Sequence, residues 1–247
     1  MGLEYDGGPF QGWQTQPGGA GVQDAVESAV ARIAGHAIAL VAAGRTDRGV
    51  HARGQVAHFD SEAVRPASAW VRGVNAFLPD SIAVLWSAEV QPDFHARYSA
   101  IARTYRYQLL NRGVRPGLEA GRIGWFHAPL DVAAMQAAAQ VLVGEHDFSA
   151  FRAAECQAKT PVRTIHAIDL VCAGERVDFV VKANAFLHHM VRNIVGSLVY
   201  VGSGRKPVSW IGELLASRNR TRAAPTFAAD GLYLEKVDYD GAWNLPQ

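Results

Sequence analysis

The 247 residues carry 24 Lys and Arg against 23 Asp and Glu, and 49% of them are hydrophobic. That is apolar surface enough for one large domain or two small ones, and it excludes a disordered chain. No run of about 18 apolar residues exists, and no basic-then-apolar leader opens the chain, so a cytoplasmic protein with no membrane association is expected.

"MGLEY" reads as a short strand, and the glycine-rich loop "DGGPFQGWQTQPGG" follows it. Val22, Ala25, Val26, Ala29, Val30 and Ile33 recur at helical spacing, and Gly35 closes that helix. "AIALVAA" and "GQVAHFD" are strand candidates; in the second, Gln55, Ala57 and Phe59 alternate with Val56 and His58. Trp70, Val71, Val74, Phe77 and Leu78 suggest a second helix, stopped by Pro79, and "SIAVLWSAEV" a further strand. The order strand, helix, strand, strand, helix, strand is that of a split βαβ unit of ferredoxin-like type.

The second half repeats the order. "IARTYRYQLL" is a strand, and Asp131 caps a helix carrying Val132, Met135, Ala139 and Leu142. "VRTIHAIDLV" and "RVDFVVKANAFL" are strands, and "HHMVRNIVGSLVYVG" is a helix. A helix through Val208, Ile211, Leu214 and Leu215 precedes the last strand, "GLYLEKVDY". The predicted class is α+β: two ferredoxin-like (split βαβ) halves, residues 1–97 and 98–247, merging into a mixed, largely antiparallel sheet with a central cleft. Cys156 and Cys172 have neither metal nor redox spacing and read as two buried, reduced thiols.

Charge placement says more than net charge. Twenty of the 24 basic residues are arginine, which forks onto phosphates. Six arginines from Arg97 to Arg122 face one acid, Glu119, and five basic residues from Arg205 to Arg222 face one acid, Glu213. Such strips are the footprint of a nucleic-acid binder, or else plain solvated faces.

In "AGRTDRGVHARGQVAHFD" one carboxylate, Asp47, sits between Arg45 and Arg48, with Arg53 behind. Asp followed closely by Gly is turn chemistry, and on that reading the arginines are merely solvated. A tight turn needs neither arginines on both sides of the acid nor so long a loop. A carboxylate among guanidiniums stays ionised, which suits a nucleophile or an electrostatic anchor. His188, His189 and Arg192 open a helix where cations are disfavoured, so Arg192 calls for an anionic partner. Tyr105 and Tyr107 share a strand face; Tyr107 reads as core, and Tyr105 as a ring able to stack on a base. Adjacent His188 and His189 point in different directions, and His51 and His58 fit no metal spacing, so no metal site is expected.

These motifs resemble those of the tRNA pseudouridine synthase A family, the tRNA pseudouridine(38-40) synthases. "EYDGGPFQGWQTQ", "AGRTDRGVHARGQVAHFD", "FHARYSAIARTYRY", "GEHDFSAFR", "ANAFLHHMVRNIVG" and "GLYL" match in the family's order, nearly end to end. The resemblance implies isomerisation of uridine to pseudouridine at positions 38, 39 and 40 of the tRNA anticodon stem-loop, without metal or cofactor, by a homodimer that holds each tRNA across both subunits. Asp47 matches the catalytic nucleophile, and Arg45 the arginine that helps displace the target base. Tyr105 matches the tyrosine that stacks on uracil, and Arg192 an arginine that pairs with the catalytic aspartate. Arg48 and Arg53 are candidate RNA contacts, with solvation as the alternative.

Family members carry several residues before "EYDG", so the resemblance implies an upstream start or a short first strand. Two rivals stand beside it. A tRNA-binding chaperone would need the basic strips without Asp47, Tyr105 and Arg192. A carboxylate-dependent glycosidase usually needs two cooperating acids, and no second acid sits in so distinctive a motif.

Overall fold

The structure is a computed structural model and describes residues 1–246. The chain forms two compact units: Met1–Ala102 with the chain from Tyr233 onward, and Arg103–Leu232.

In the first unit, β1 (Gly2–Tyr5) lies between β4 (Ile82–Trp86) and β3 (His51–His58), antiparallel to both. The other edge of β3 carries β2 (Val41–Ala42), giving the 4-1-3-2 order of a split βαβ unit. That edge also takes the last strand, β10 (Leu232–Tyr239), in parallel, with Tyr233 opposite His51. Helix α1 (Val22–Ala34) buries Val22, Val26, Ala29 and Val30. Asp24 reaches back to the Gly21 N–H at 2.9 Å, and Gly35 closes the helix in the left-handed region at φ 81°.

Three expectations change here. Of "AIALVAA" only Val41–Ala42 is strand. β3 starts at His51, three residues before the expected strand, and Gln55, Val56 and Ala57 are all buried. A strand covered on both faces does not alternate in burial, which hides its start from pattern reading. The second helix, residues 67–75, widens to a π-helix over Ala69–Gly73, and Phe77 lies outside it and exposed. There Asn75 pairs with both backbone groups of Val84 (2.8 and 2.9 Å), as a neighbouring strand would.

In the second unit, β9 (Arg176–Ala183) lies between β5 (Ala100–Asn111) and β8 (Val162–Ala173), antiparallel to both. β7 (Gly144–Asp147) extends the sheet beyond β8, and β6 (Gly124–Phe126) runs parallel to β5; neither short strand has a sequence signal. α2 (Val132–Ala139) follows β5, so β5, α2, β8 and β9 repeat the split βαβ order. The Asp131 carboxylate caps α2 by accepting from the Ala134 N–H at 2.9 Å, and the helix packs on β8 and α3. In α3 (Met190–Gly202) every residue but Arg192 and Tyr200 is buried, so the helix is the core of this unit. α4 (Trp210–Ser217) packs Trp210, Ile211, Leu214 and Leu215 inward.

Each unit is thus a mixed, largely antiparallel sheet with helices, the α+β class expected. Among the described residues no helix is long and apolar enough to cross a membrane. The thiols differ from expectation: both are free, but Cys172 is exposed and Cys156 half-buried. Burial raises the Cys156 pKa, yet N–H groups of Ala158 and His188 and the Arg152 guanidinium outweigh it, and the net shift is downward.

Candidate active site

Asp47 stands on the loop between β2 and β3. The ladder runs one step past β2 through the bond from Ala43 N–H to the Val56 carbonyl (2.8 Å). The chain then turns at Asp47–Val50, closed by the bond from Val50 N–H to the Asp47 carbonyl (3.1 Å). Gly49, third in that turn, has φ 77°, the conformation that a type II turn reserves for glycine. The closing bond is made by backbone.

Buried polar groups hold the loop from below. Gln55 Nε2 donates to the Gly44 carbonyl at 2.7 Å and to Tyr5 Oη at 3.4 Å. Tyr5 Oη and Thr46 Oγ1 share a hydrogen bond of 2.8 Å. Trp13 N–H donates to the Thr46 carbonyl at 3.0 Å, and Trp13 is itself buried. Burial pushes the Tyr5 phenol up to about 12, so it serves as a neutral hydrogen-bonding group. Two glycines of "DGGPFQGW" let backbone lie on backbone. A Cβ at Gly7 would collide with the Val50 carbonyl, and one at Gly12 would stand 2.8 Å from the Thr46 carbonyl oxygen. His51 Nδ1 accepts from the Gly7 N–H at 3.0 Å and fastens the same loop from β3.

Of the flanking arginines, Arg45 and Arg48 are exposed beside Asp47. Arg53 lies on β3 with its guanidinium 4.9 Å from the Tyr233 ring centre and 3.6 Å from Glu235 Oε1. Tyr233 also stacks on His51, at 4.7 Å.

In the second unit Tyr105 lies on β5 opposite Val181, half-buried, with the Phe186 ring edge-on at 4.9 Å and 81°. Tyr107 is fully buried against Phe179 and Phe227 and donates to the Ala228 carbonyl at 3.0 Å. Its core role is as expected, and burial drives its pKa upward. Arg192 sits in the first turn of α3, half-buried, its Nε bonded to the Phe227 carbonyl at 2.8 Å. His189, just before the helix, takes a left-handed conformation (φ 61°, ψ 5°), and the His188 and His189 rings lie 3.9 Å apart. A non-glycine residue held there carries strain typical of functional segments.

The basic strips are not uniform faces. Arg106 pairs with Asp178 at 2.9 Å, Arg112 with Glu175 at 3.2 Å and Arg218 with Asp147 at 3.3 Å. Arg220 turns inward. The structure thus collects Asp47, Arg45 and Arg48 on one loop of the first unit, and carries Tyr105 on β5 and Arg192 on α3 of the second. The residues that sequence reading missed are the supports: Tyr5, Thr46, Gln55, His51 and Trp13. Nothing in local pattern marks them, because their polar atoms meet across 33 to 50 residues of chain.

Asp47 thus stands on a glycine turn within one split βαβ unit, and the same element order follows in the second. The family model described as tRNA pseudouridine synthase matches residues 3–99 and 138–240, and the chain belongs to that family. Relatives named tRNA pseudouridine synthase A are 57% identical in Methylobacillus flagellatus (100% of this chain, 94% of the relative), Thiobacillus denitrificans (100% and 95%) and Nitrosomonas eutropha (99% and 88%). The chain is accordingly an isomerase, one that makes pseudouridine from uridine in tRNA.

Proposed function

We propose that the uridines converted are those at positions 38, 39 and 40 of the anticodon stem-loop, and that Asp47 is the nucleophile. The N1–C1′ bond breaks, the uracil turns, and C5 bonds to C1′; C5 loses its proton and N1 gains one, so no redox partner is needed. A stacked base is out of reach, so the uridine flips out first, at about a few kcal/mol for unstacking. Arg45 takes part in displacing the base, Tyr105 stacks on it, and Arg192 serves the reacting nucleotide. Arg48 is a phosphate contact; Arg53, lying over Tyr233, is offered for the same role. The enzyme works as a cytoplasmic homodimer without metal or cofactor.

The observation that carries this reading is the build of the Asp47 loop. Backbone bonds and buried polar side chains hold it, which supports the preorganisation that catalysis asks of a reacting group. The test is tritium release from tRNA labelled at uracil C5, without added metal. Asp47→Asn is expected to abolish release and keep tRNA binding; an active Asp47→Asn enzyme overturns the reading. Binding by the wild-type chain without release would instead point to a chaperone. Sedimentation with and without tRNA tests the homodimer.

A further inference from the structure

Arg220 belongs to the basic strip from Arg205 to Arg222, yet its guanidinium serves the interior. Nη2 donates to Asn193 Oδ1 and to Thr226 Oγ1, each at 3.0 Å, and Nη1 donates to the Ala224 carbonyl at 2.9 Å. All three acceptors are neutral. Thr226 Oγ1 donates in turn to Asn193 Oδ1 at 2.8 Å. Asn193 is fully buried and gives its Nδ2 to the Phe151 carbonyl at 2.8 Å. Arg220 is half-buried, and a guanidinium drawn partly out of water onto neutral acceptors is a costly way to fill space. Its position suggests what it is for.

The network pins the segment that ends at Phe227 onto the first turns of α3. Phe227 N–H bonds the Arg192 carbonyl at 3.3 Å, and the Phe227 carbonyl accepts Arg192 Nε at 2.8 Å. Gly196, one helical turn after Arg192, permits the approach: a Cβ there would stand 2.6 Å from the Pro225 carbonyl oxygen. A guanidinium is planar, so a fixed bond at Nε sets the direction of its outer N–H groups.

We propose that Arg220, acting with Asn193 and Thr226, is a positioning residue for Arg192. It holds the Phe227 carbonyl where that oxygen can fix Arg192 Nε, and so aims the outer N–H groups of Arg192. The proposal rests on Arg192 serving the reacting nucleotide.

The test compares kcat and KM for tritium release from C5-labelled tRNA in Arg220→Gln, Arg220→Lys, Thr226→Val, Arg192→Ala and the Arg192→Ala/Arg220→Gln double variant. Each is assayed below its own measured unfolding temperature. Arg220→Gln is expected to lower kcat by roughly 10- to 100-fold, as a misplacement of about 1 Å does, with KM unchanged. Arg220→Lys recovers part of the loss, and Arg220→Gln adds nothing to Arg192→Ala. Wild-type kcat in folded Arg220→Gln, or losses that multiply in the double variant, would overturn the proposal. If Arg220→Gln does not fold, Thr226→Val decides by its kcat, since it removes one bonding group at nearly constant shape. A fully active Arg192→Ala would remove the role of Arg192 itself, and the proposal with it; an inactive Arg192→Ala beside a normal Arg220→Gln removes only the positioning role.

Discussion

Gly12 lies against the Thr46 carbonyl so closely that a Cβ would stand 2.8 Å from its oxygen, and 3.2 Å from both Arg48 N and the Asp47 carbonyl carbon. The glycine-rich loop of the N-terminus is therefore the floor of the loop that carries Asp47. Gly18 has nearly the same backbone angle, φ 94° against 97°, but nothing stands within 4 Å of its missing Cβ. The two sites separate backbone strain from collision.

Gly12→Ala is expected to cost about 2–4 kcal/mol, strain and collision together, and to lower kcat at least about tenfold through displacement of Asp47. Gly18→Ala is expected to cost about 1 kcal/mol, from strain alone, and to leave kcat unchanged. Urea unfolding and tritium release check both. Equal effects at the two positions would mean that the floor does not set the loop.

Tyr5→Phe tests the polar support. It deletes the hydroxyl between Thr46 Oγ1 and Gln55 Nε2 at a buried site. Two polar atoms lose a partner, so a destabilisation of about 1–3 kcal/mol is expected. Thr46→Val removes the same bond from the other side. In the double variant the losses should fall short of the sum, because both singles break one interaction. Additive losses in unfolding midpoints would show that the bond contributes nothing.

The packing of His58 and His95 against residues 96–98 leads to a pH prediction. His58 Nδ1 accepts from Ala96 N–H at 3.1 Å, and His95 Nδ1 accepts from Arg97 and Tyr98 N–H at 3.1 and 3.2 Å. Burial, then the neighbouring His95, lowers the His58 pKa. A histidine with a lowered folded pKa takes up its proton more readily when unfolded. Its contribution is whole above the unfolded value, about 6.5, and is lost as pH falls through the folded value. The unfolding midpoint should therefore drop between pH 7 and pH 5 by more than in His58→Asn, whose amide oxygen accepts from Ala96 N–H without titrating. Parallel profiles for the two proteins would refute this.

Much of the architecture can be read from the chain because it is written locally. α1, α3 and α4 announce themselves by apolar spacing, and Asp131 by its cap. β6 and β7 do not, being three and four residues long and defined only by their partners. The same division holds at the site. Asp47 is conspicuous among arginines, whereas Tyr5, Gln55 and Gly12 take their meaning from contacts that only the fold creates. Arg220 is the sharpest case: sequence places it in a basic strip, and only the bonds to Asn193 and Thr226 show that its guanidinium turns inward.

Tyr105 and Tyr107, two residues apart on β5, should respond oppositely to loss of the hydroxyl. Tyr107 donates to the Ala228 carbonyl and is fully buried. Tyr107→Phe keeps the ring against Phe179 and Phe227, so about 1 kcal/mol of stability is expected to go, with kcat unchanged. Tyr105 is half-buried, its ring held edge-on by Phe186. We propose that the Tyr105 hydroxyl, besides the ring's stacking on uracil, assists proton removal from C5; Tyr105→Phe keeps the ring and lacks that oxygen. A fall in kcat of about 100-fold or more, with KM unchanged and stability within about 1 kcal/mol, is expected. Tyr105→Leu, which also loses the stacking surface, should raise KM as well. Should Tyr105→Phe release tritium at the wild-type rate while Tyr105→Leu does not, the residue's part is stacking alone, and the proton leaves by another route.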